Sequence, residues 1–210
     1  MATLQDVADI IIAGKAKKTA GVVQDALDSG EDAHAILDTM SEAMGVVGAR
    51  FSRNEIFVPE MLISAKAMKK GVEVIKPFLA DDSVGSMGKM IMGTVAGDLH
   101  DIGKNLVIMM IESAGFEVID LGVDVPIERF LSAYEANPDT KIIGASALLT
   151  TTMPALEQTV SAINAAPWRS KVKVMVGGAP ITQEFADKIG ADAYTADAAA
   201  AAAMAKRLVS

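Results

Sequence analysis

Cysteine is absent from the 210 residues, so disulfides, thiolate nucleophiles and Cys-ligated zinc or iron–sulfur clusters are excluded. That composition suits a cytoplasmic chain. Basic residues are in deficit, with 19 lysines and arginines against 27 aspartates and glutamates, for a net charge of -8. Binding to phosphate backbones or anionic lipid needs basic patches, so neither nucleic acid nor a membrane is expected as a partner. The N-terminus has no basic stretch leading into an apolar one, and no apolar run nears the roughly 20 residues of a membrane span. A soluble, unprocessed protein is expected. Histidine occurs only at His34 and His100, too few for a site that needs several imidazoles.

What is abundant is apolar: 51% of residues, enough for one large core or two small ones. Residues 1–80 read as helical. Thr3 with Asp6 forms a capping box ahead of Val7, Ile10 and Ile11. A second helix is predicted over Gly21–Leu27, and a third over Asp32–Ala49 with Ile36, Met40, Met44 and Val47 on one face. A fourth starts at Pro59 and carries Leu62, Ala65, Met68, Val72 and Ile75. Four such helices suggest a small bundle. Its methionines, Met40, Met44, Met61 and Met68, read as core filler. The connection from Phe51 to Pro59 is unusually apolar for a solvent loop. The segment Ala80–Lys89 lacks periodicity and reads as a linker, so that 81–89 separates a helical domain, 1–80, from a second domain, 90–210.

The second domain alternates strand and helix. Strands are predicted at Lys89–Ala96, Glu117–Leu121, Lys141–Ser146, Lys171–Val176 and Ala193–Ala196. Helices fall near Lys104–Ala114, Ile127–Ala136, Pro154–Ala165, Gln183–Ile189 and Asp197–Leu208. This pattern implies an α/β fold, a doubly wound, five-stranded parallel sheet of Rossmann-like (flavodoxin-like) type. The alanine run from Ala198 to Ala203 reads as a helix beginning after Asp197.

Between the first of these strands and its helix lies Gly97 to Asn105, reading Gly-Asp-Leu-His-Asp-Ile-Gly-Lys-Asn. Loops in this place hold ligands in open α/β sheets. Gly97, Gly103 and Lys104 satisfy most of a phosphate-binding loop, but Asn105 replaces the hydroxyl that would hold magnesium. Asp98 and Asp101 would also set negative charge against the phosphates. His100 with Asp101 resembles the pair of metal-dependent phosphohydrolases, but the ligand count fails. Taken alone, His100 reads first as a structural hydrogen bonder within the loop, and only second as a metal ligand oriented by Asp98.

Asp98-x-His100-x-x-Gly103, within the run Gly97, Asp98, Leu99, His100, Asp101, Ile102, Gly103, resembles the signature of cobalamin-binding domains. Those domains take the cofactor base-off with histidine on cobalt. Ser146-Ala-Leu148-Leu-Thr150-Thr-Thr152 is similar to that family's hydroxyl-rich segment after the third strand, and Gly177-Gly178-Ala179 to its fourth-strand glycines. Phe51 and Val58 lie in stretches that resemble the helical cap over the upper cofactor face. The resemblance covers nearly the whole chain. It is nearest to the small corrinoid proteins of methyltransferase systems, methylamine branch, and extends to the cobalamin module of methionine synthase.

The resemblance implies a cobamide with His100 as cobalt ligand, Asp98 as its anchor and Thr152 donating to Asp98. It further implies that the displaced nucleotide tail is held among Ser146, Leu148, Thr150, Gly177, Gly178, Ala179 and Ala198. Phe51 and Val58 would shield the methyl group and the linker would act as a hinge. Function then follows: a carrier that accepts a methyl group on Co(I) from a substrate:corrinoid methyltransferase and yields it to a second methyltransferase, with a reductive-activation protein as a further partner. On its own such a chain is not an enzyme. Two other readings are a cobalamin-dependent sensor, which would usually carry a DNA-binding module, and a stand-alone α/β enzyme using Asp98 and His100 as an acid–base pair.

Overall fold

In the computed structural model, residues 2–79 and 87–209 are described. The linker expected at 80–89 lies outside them up to residue 86, and its last two residues, Gly88 and Lys89, already form the first strand. The chain divides into two compact units, 1–86 with 113–115 and 87–112 with 116–210.

The first unit is α1 (Leu4–Ile12), α2 (Ala16–Asp28), α3 (Ala33–Ser52) and α4 (Val58–Ile75). Thr3 and Asp6 close the expected capping box on α1, and the Asp32 carboxylate caps α3 by accepting from His34 and Ala35 N–H. Helix α2 starts a turn before its predicted beginning at Gly21. Thr19, buried and donating its hydroxyl to Lys15 O, extends the buried stripe Val23–Ala26 toward the N-terminus. Phe51 falls within the last turn of α3 instead of in a connecting loop. Helix α4 begins with Pro59 in its first turn, where a missing N–H costs nothing, while Glu60 reaches back to accept from Phe57 N–H at 2.9 Å. Met40, Met44, Met61 and Met68 are all buried among Val7, Ile11, Ile36 and Val47, so the flexible thioethers fill the bundle core.

The second unit is β1 (Gly88–Thr94), α5 (Ile102–Ser113), β2 (Phe116–Asp120), α6 (Ile127–Ala136), β3 (Thr140–Ser146), α7 (Met153–Asn164), β4 (Lys173–Gly177), α8 (Gln183–Ile189), β5 (Ala193–Tyr194) and α9 (Ala198–Val209). All pairings are parallel and the strand order is β2-β1-β3-β4-β5. Consecutive residues from Met90 to Thr94 are buried, as are Ile142–Ala145, so both faces of the central strands are covered. The fourth strand begins later than the predicted Lys171. Arg169–Lys171 is a 3-10 turn, pinned by the Arg169 guanidinium to Val172 O at 2.8 Å and Asp192 Oδ2 at 2.7 Å. The last strand is also shorter than predicted, since Thr195 and Ala196 fall outside it. No described helix is long and apolar enough to cross a membrane.

This order reverses direction between β1 and β3. Chain leaving one of them turns away from chain leaving the other, and a crevice opens at their carboxyl ends. The register sets Thr94 beside Ser146, the last residues of the two strands. The loop bearing Asp98 and His100 and the loop running from Ala147 to Thr152 therefore emerge side by side.

Candidate functional site

Asp98 joins these two loops. Its side chain has no solvent exposure, yet both oxygens are fully engaged. Oδ1 accepts from His100 Nδ1 at 2.8 Å and from His100 N–H at 3.1 Å. Oδ2 accepts from Leu148 N–H at 2.7 Å, Leu149 N–H at 3.4 Å and the Thr152 hydroxyl at 2.7 Å. Burial works to raise the carboxyl pKa, but the donors from Leu148, Thr152 and His100 outweigh it and hold the group well below the usual carboxylate range.

An ionised carboxylate can only accept, so a neutral His100 carries its proton on Nδ1 and leaves a lone pair at Nε2. The His100 side chain is about half exposed, at 49%. Around it the same two loops present large apolar side chains to solvent: Leu99 is 71% exposed, Ile102 85%, Leu148 40% and Leu149 41%. An aromatic nitrogen donor framed by exposed leucine and isoleucine suits a flat, largely apolar ligand that carries a metal. Among the described residues no group of three or more acidic or imidazole side chains converges on a bare ion. A metal at Nε2 would bring its remaining ligands with it.

Glycines test whether the protein itself or a ligand requires their smallness. Gly178 has φ +133, and a Cβ there would stand 1.7 Å from Ala147 O, so the fold alone demands it. Gly97 has φ +79 and needs glycine for its backbone. Gly103 differs: in the first turn of α5, a Cβ would meet nothing within 4 Å. At Gly177 the nearest atom to an added Cβ is Thr195 O at 3.6 Å, an ordinary contact. Gly103 therefore leaves open space that nothing in the fold requires, while Gly177 would accept a Cβ in ordinary contact with Thr195 O.

The structure brings Gly97 through Gly103, Ser146, Leu148, Thr150 and Thr152 together on the adjoining β1 and β3 loops, and Ser146 Oγ shares a hydrogen bond with Thr94 Oγ1 at 3.0 Å. Ala147 N–H donates to Gly177 O, which sets Gly177, Gly178 and Ala179 on the next loop along. Ala198 opens α9 and is buried, its helix capped by Asp197 Oδ1 accepting from Ala200 N–H. Phe51 and Val58 belong to the helical unit, Phe51 half-buried and Val58 39% exposed beside Phe57 at 66%. His34 is half-buried at the start of α3, its Nδ1 3.7 Å from Asp32.

Sequence reasoning missed several residues. Thr94 donates to His100 O at 3.0 Å. Lys104, nearly buried, gives all three ammonium donors to Asp120 Oδ1 (2.7 Å), Asp120 Oδ2 (2.8 Å) and Asn105 Oδ1 (2.8 Å). A lysine so committed cannot serve a phosphate, which removes the phosphate-loop reading. Asp124 accepts from Gly97 N–H at 2.7 Å and donates its own N–H to Asp98 O at 2.9 Å. No local signal marks these contacts, since each depends on strand pairing that brings the end of β1 beside Ser146 and beside Asp120 at the end of β2 and Asp124 beyond it.

Comparison with known proteins covers both units. Residues 88–204 match the family model described as a B12 binding domain, and residues 3–76 match a second model with the same description. The chain is 45% identical over 208 residues to the dimethylamine corrinoid protein of Methanosarcina barkeri, covering 98% of this chain and 97% of that one. It is also similar to the crystal structure of a cobalamin-binding protein from Desulfitobacterium hafniense DCB-2, with a TM-score of 0.85 and 29% identity over 99% of this chain and 98% of the other. A chain of the methanol:cobalamin methyltransferase complex from M. barkeri is similar too, with a TM-score of 0.80 and 30% identity over 97% of this chain and 78% of that one.

Proposed function

The chain belongs to the B12-binding corrinoid proteins, and from that membership we propose that it holds a cobamide base-off with His100 on the cobalt and ferries methyl groups from dimethylamine or a related methylated amine. It is a carrier subunit of a methyltransferase system, not a catalyst by itself. Its partners are a substrate:corrinoid methyltransferase, a second methyltransferase that takes the methyl group, and a reductive-activation protein. The substrate and the first partner rest on likeness to a dimethylamine corrinoid protein and to a methanol:cobalamin methyltransferase complex.

One observation carries the axial assignment: the fully hydrogen-bonded, buried Asp98 carboxylate fixes the His100 proton at Nδ1 and leaves Nε2 as a donor amid exposed Leu99, Ile102, Leu148 and Leu149. Bound there, the corrinoid supplies the metal that takes up and gives up the methyl group. The residues do the rest. Thr152 and the Leu148 N–H keep Asp98 ionised, so it stabilises a proton on Nδ1. His100 would hold the group through Nε2, with its Nδ1 proton donated to the Asp98 carboxylate. Leu99 and Ile102 would offer it apolar surface, and Gly103 presents no side chain that would obstruct it.

For the displaced nucleotide tail we assign the strip formed by Ser146, Leu148, Thr150, Gly177 and Ala179, with Ala198 next along the edge. The Ser146 and Thr150 hydroxyls would meet polar groups of the tail, and Gly177 and Ala179 present the smallest side chains to a flat base. Gly178 is explained by the Ala147 backbone and adds no independent support.

The test is reconstitution with hydroxocobalamin followed by reduction, dimethylamine and the cognate methyltransferase. Formation of monomethylamine only when both the loaded chain and its partner are present is the expected outcome. Turnover by the chain alone, or a protein that stays colourless after reconstitution, overturns the reading.

A further inference from the structure

The stretch from Gly97 to Lys104 is fastened at both ends, to Asp124 beyond β2 and to Asp120, the last residue of β2. At its start, Asp124 Oδ1 accepts from Gly97 N–H at 2.7 Å while Asp124 N–H donates to Asp98 O at 2.9 Å, so one residue grips the peptide before Gly97 and the peptide after Asp98. At its end, Lys104 is sealed against Asp120, whose Oδ1 also accepts from Gly122 N–H at 2.9 Å. Between these points, Thr94 holds His100 O at 3.0 Å and Asp101 O accepts from Asn105 N–H at 2.7 Å. Neither Asp124 nor Asp120 has a hydrogen bond to His100 itself.

We propose that Asp124 is a positioning residue for the cobalt ligand: with the Lys104–Asp120 pair it braces the His100 loop, and so sets how firmly the imidazole engages the metal. The proposal rests on His100 being the axial ligand. Asp124 lies at φ +52, in the left-handed region, where aspartate is better tolerated than most side chains. That backbone turn aims its carboxylate back at Gly97 N–H. Gly97 is itself at φ +79, so its peptide cannot be re-seated by a small rotation into a common conformation. Removing the carboxylate therefore frees the first hinge of the loop while Asp98 keeps its other partners. A ligand whose second partner is in place but whose loop is loose pays an ordering cost each time it binds metal.

The experiment compares wild type, Asp124→Ala, Asp124→Asn and His100→Ala. In the apoproteins, amide hydrogen exchange over residues 97–101 should quicken about tenfold in Asp124→Ala, and remain near wild type in Asp124→Asn, whose amide oxygen still accepts. With hydroxocobalamin, Asp124→Ala should bind about tenfold more weakly, its visible spectrum moving part of the way toward that of His100→Ala, again with rescue in Asp124→Asn. Circular dichroism melts identify a misfolded variant; in that event Asp120→Asn, which weakens the other end of the brace, should give a shift of the same sign. If His100→Ala differs from wild type but Asp124→Ala matches wild type in exchange, affinity and spectrum, the brace is refuted and the axial assignment stands. If His100→Ala itself matches wild type, the axial assignment falls and the brace with it.

Discussion

Thr152 donates its hydroxyl to Asp98 Oδ2 at 2.7 Å, from the first turn after β3 to the loop after β1, and closes the crevice between those strands around a buried charge. The hydroxyl also reaches Leu149 O at 2.9 Å. Replacing Thr152 by valine leaves the volume and removes the donor. It should destabilise the apoprotein by about 1.5–3 kcal/mol, the usual range for a hydrogen bond to a charged group. Thr152→Ser should restore most of the loss, as chemical denaturation of the three proteins will measure.

Asp98 makes folding sensitive to acid in a defined direction. Its folded-state pKa lies below the unfolded one, since the donors from Leu148, Thr152 and His100 overcome the opposing effect of burial. The stabilisation is therefore fully present above the unfolded carboxylate value of about 4 and is lost as pH falls further. Asp98→Asn lacks this contribution. The stability gap between wild-type and Asp98→Asn apoproteins should be largest near about pH 6 and narrow toward about pH 3. A gap that stays constant across that range contradicts the assignment of a depressed pKa.

Gly178 and Gly103 should part company on substitution. Gly178→Ala forces a Cβ into Ala147 O at a positive φ and should cost more than about 3 kcal/mol, if it folds at all. Gly103→Ala places a Cβ in open space at the start of α5 and should stabilise the apoprotein by about 0.5–1 kcal/mol through helix propensity. Gly103→Leu should fold equally well yet lose most corrinoid affinity. Melting curves and a cobalamin titration on the same samples separate the two effects.

The order of elements and the parallel sheet were legible because each apolar run has its own period, and because the Gly97–Gly103 loop sits between a strand and a helix. Boundaries failed where side chains intervened: Thr19 lengthens α2, and Arg169 delays β4 by binding Val172 O and Asp192. Asp98 and Thr152 lie 54 residues apart, so no local pattern predicts their bond. Only the family signature suggested it. Asp124 and Asp120 escaped notice for a related reason. Acidic residues after a strand look like ordinary loop composition until β1–β2 pairing sets Met92 against Asp120 and Val95 against Val125.

Electron paramagnetic resonance of the reduced Co(II) protein tests the coordination most directly, because the unpaired electron couples to the nucleus of the axial nitrogen. Protein grown with nitrogen-15 histidine and loaded with unlabelled cobalamin should show the superhyperfine pattern of nitrogen-15, and His100→Ala should lose it. A nitrogen-14 pattern unchanged by the label would mean that the cofactor's own base remains on cobalt, and would contradict coordination by His100.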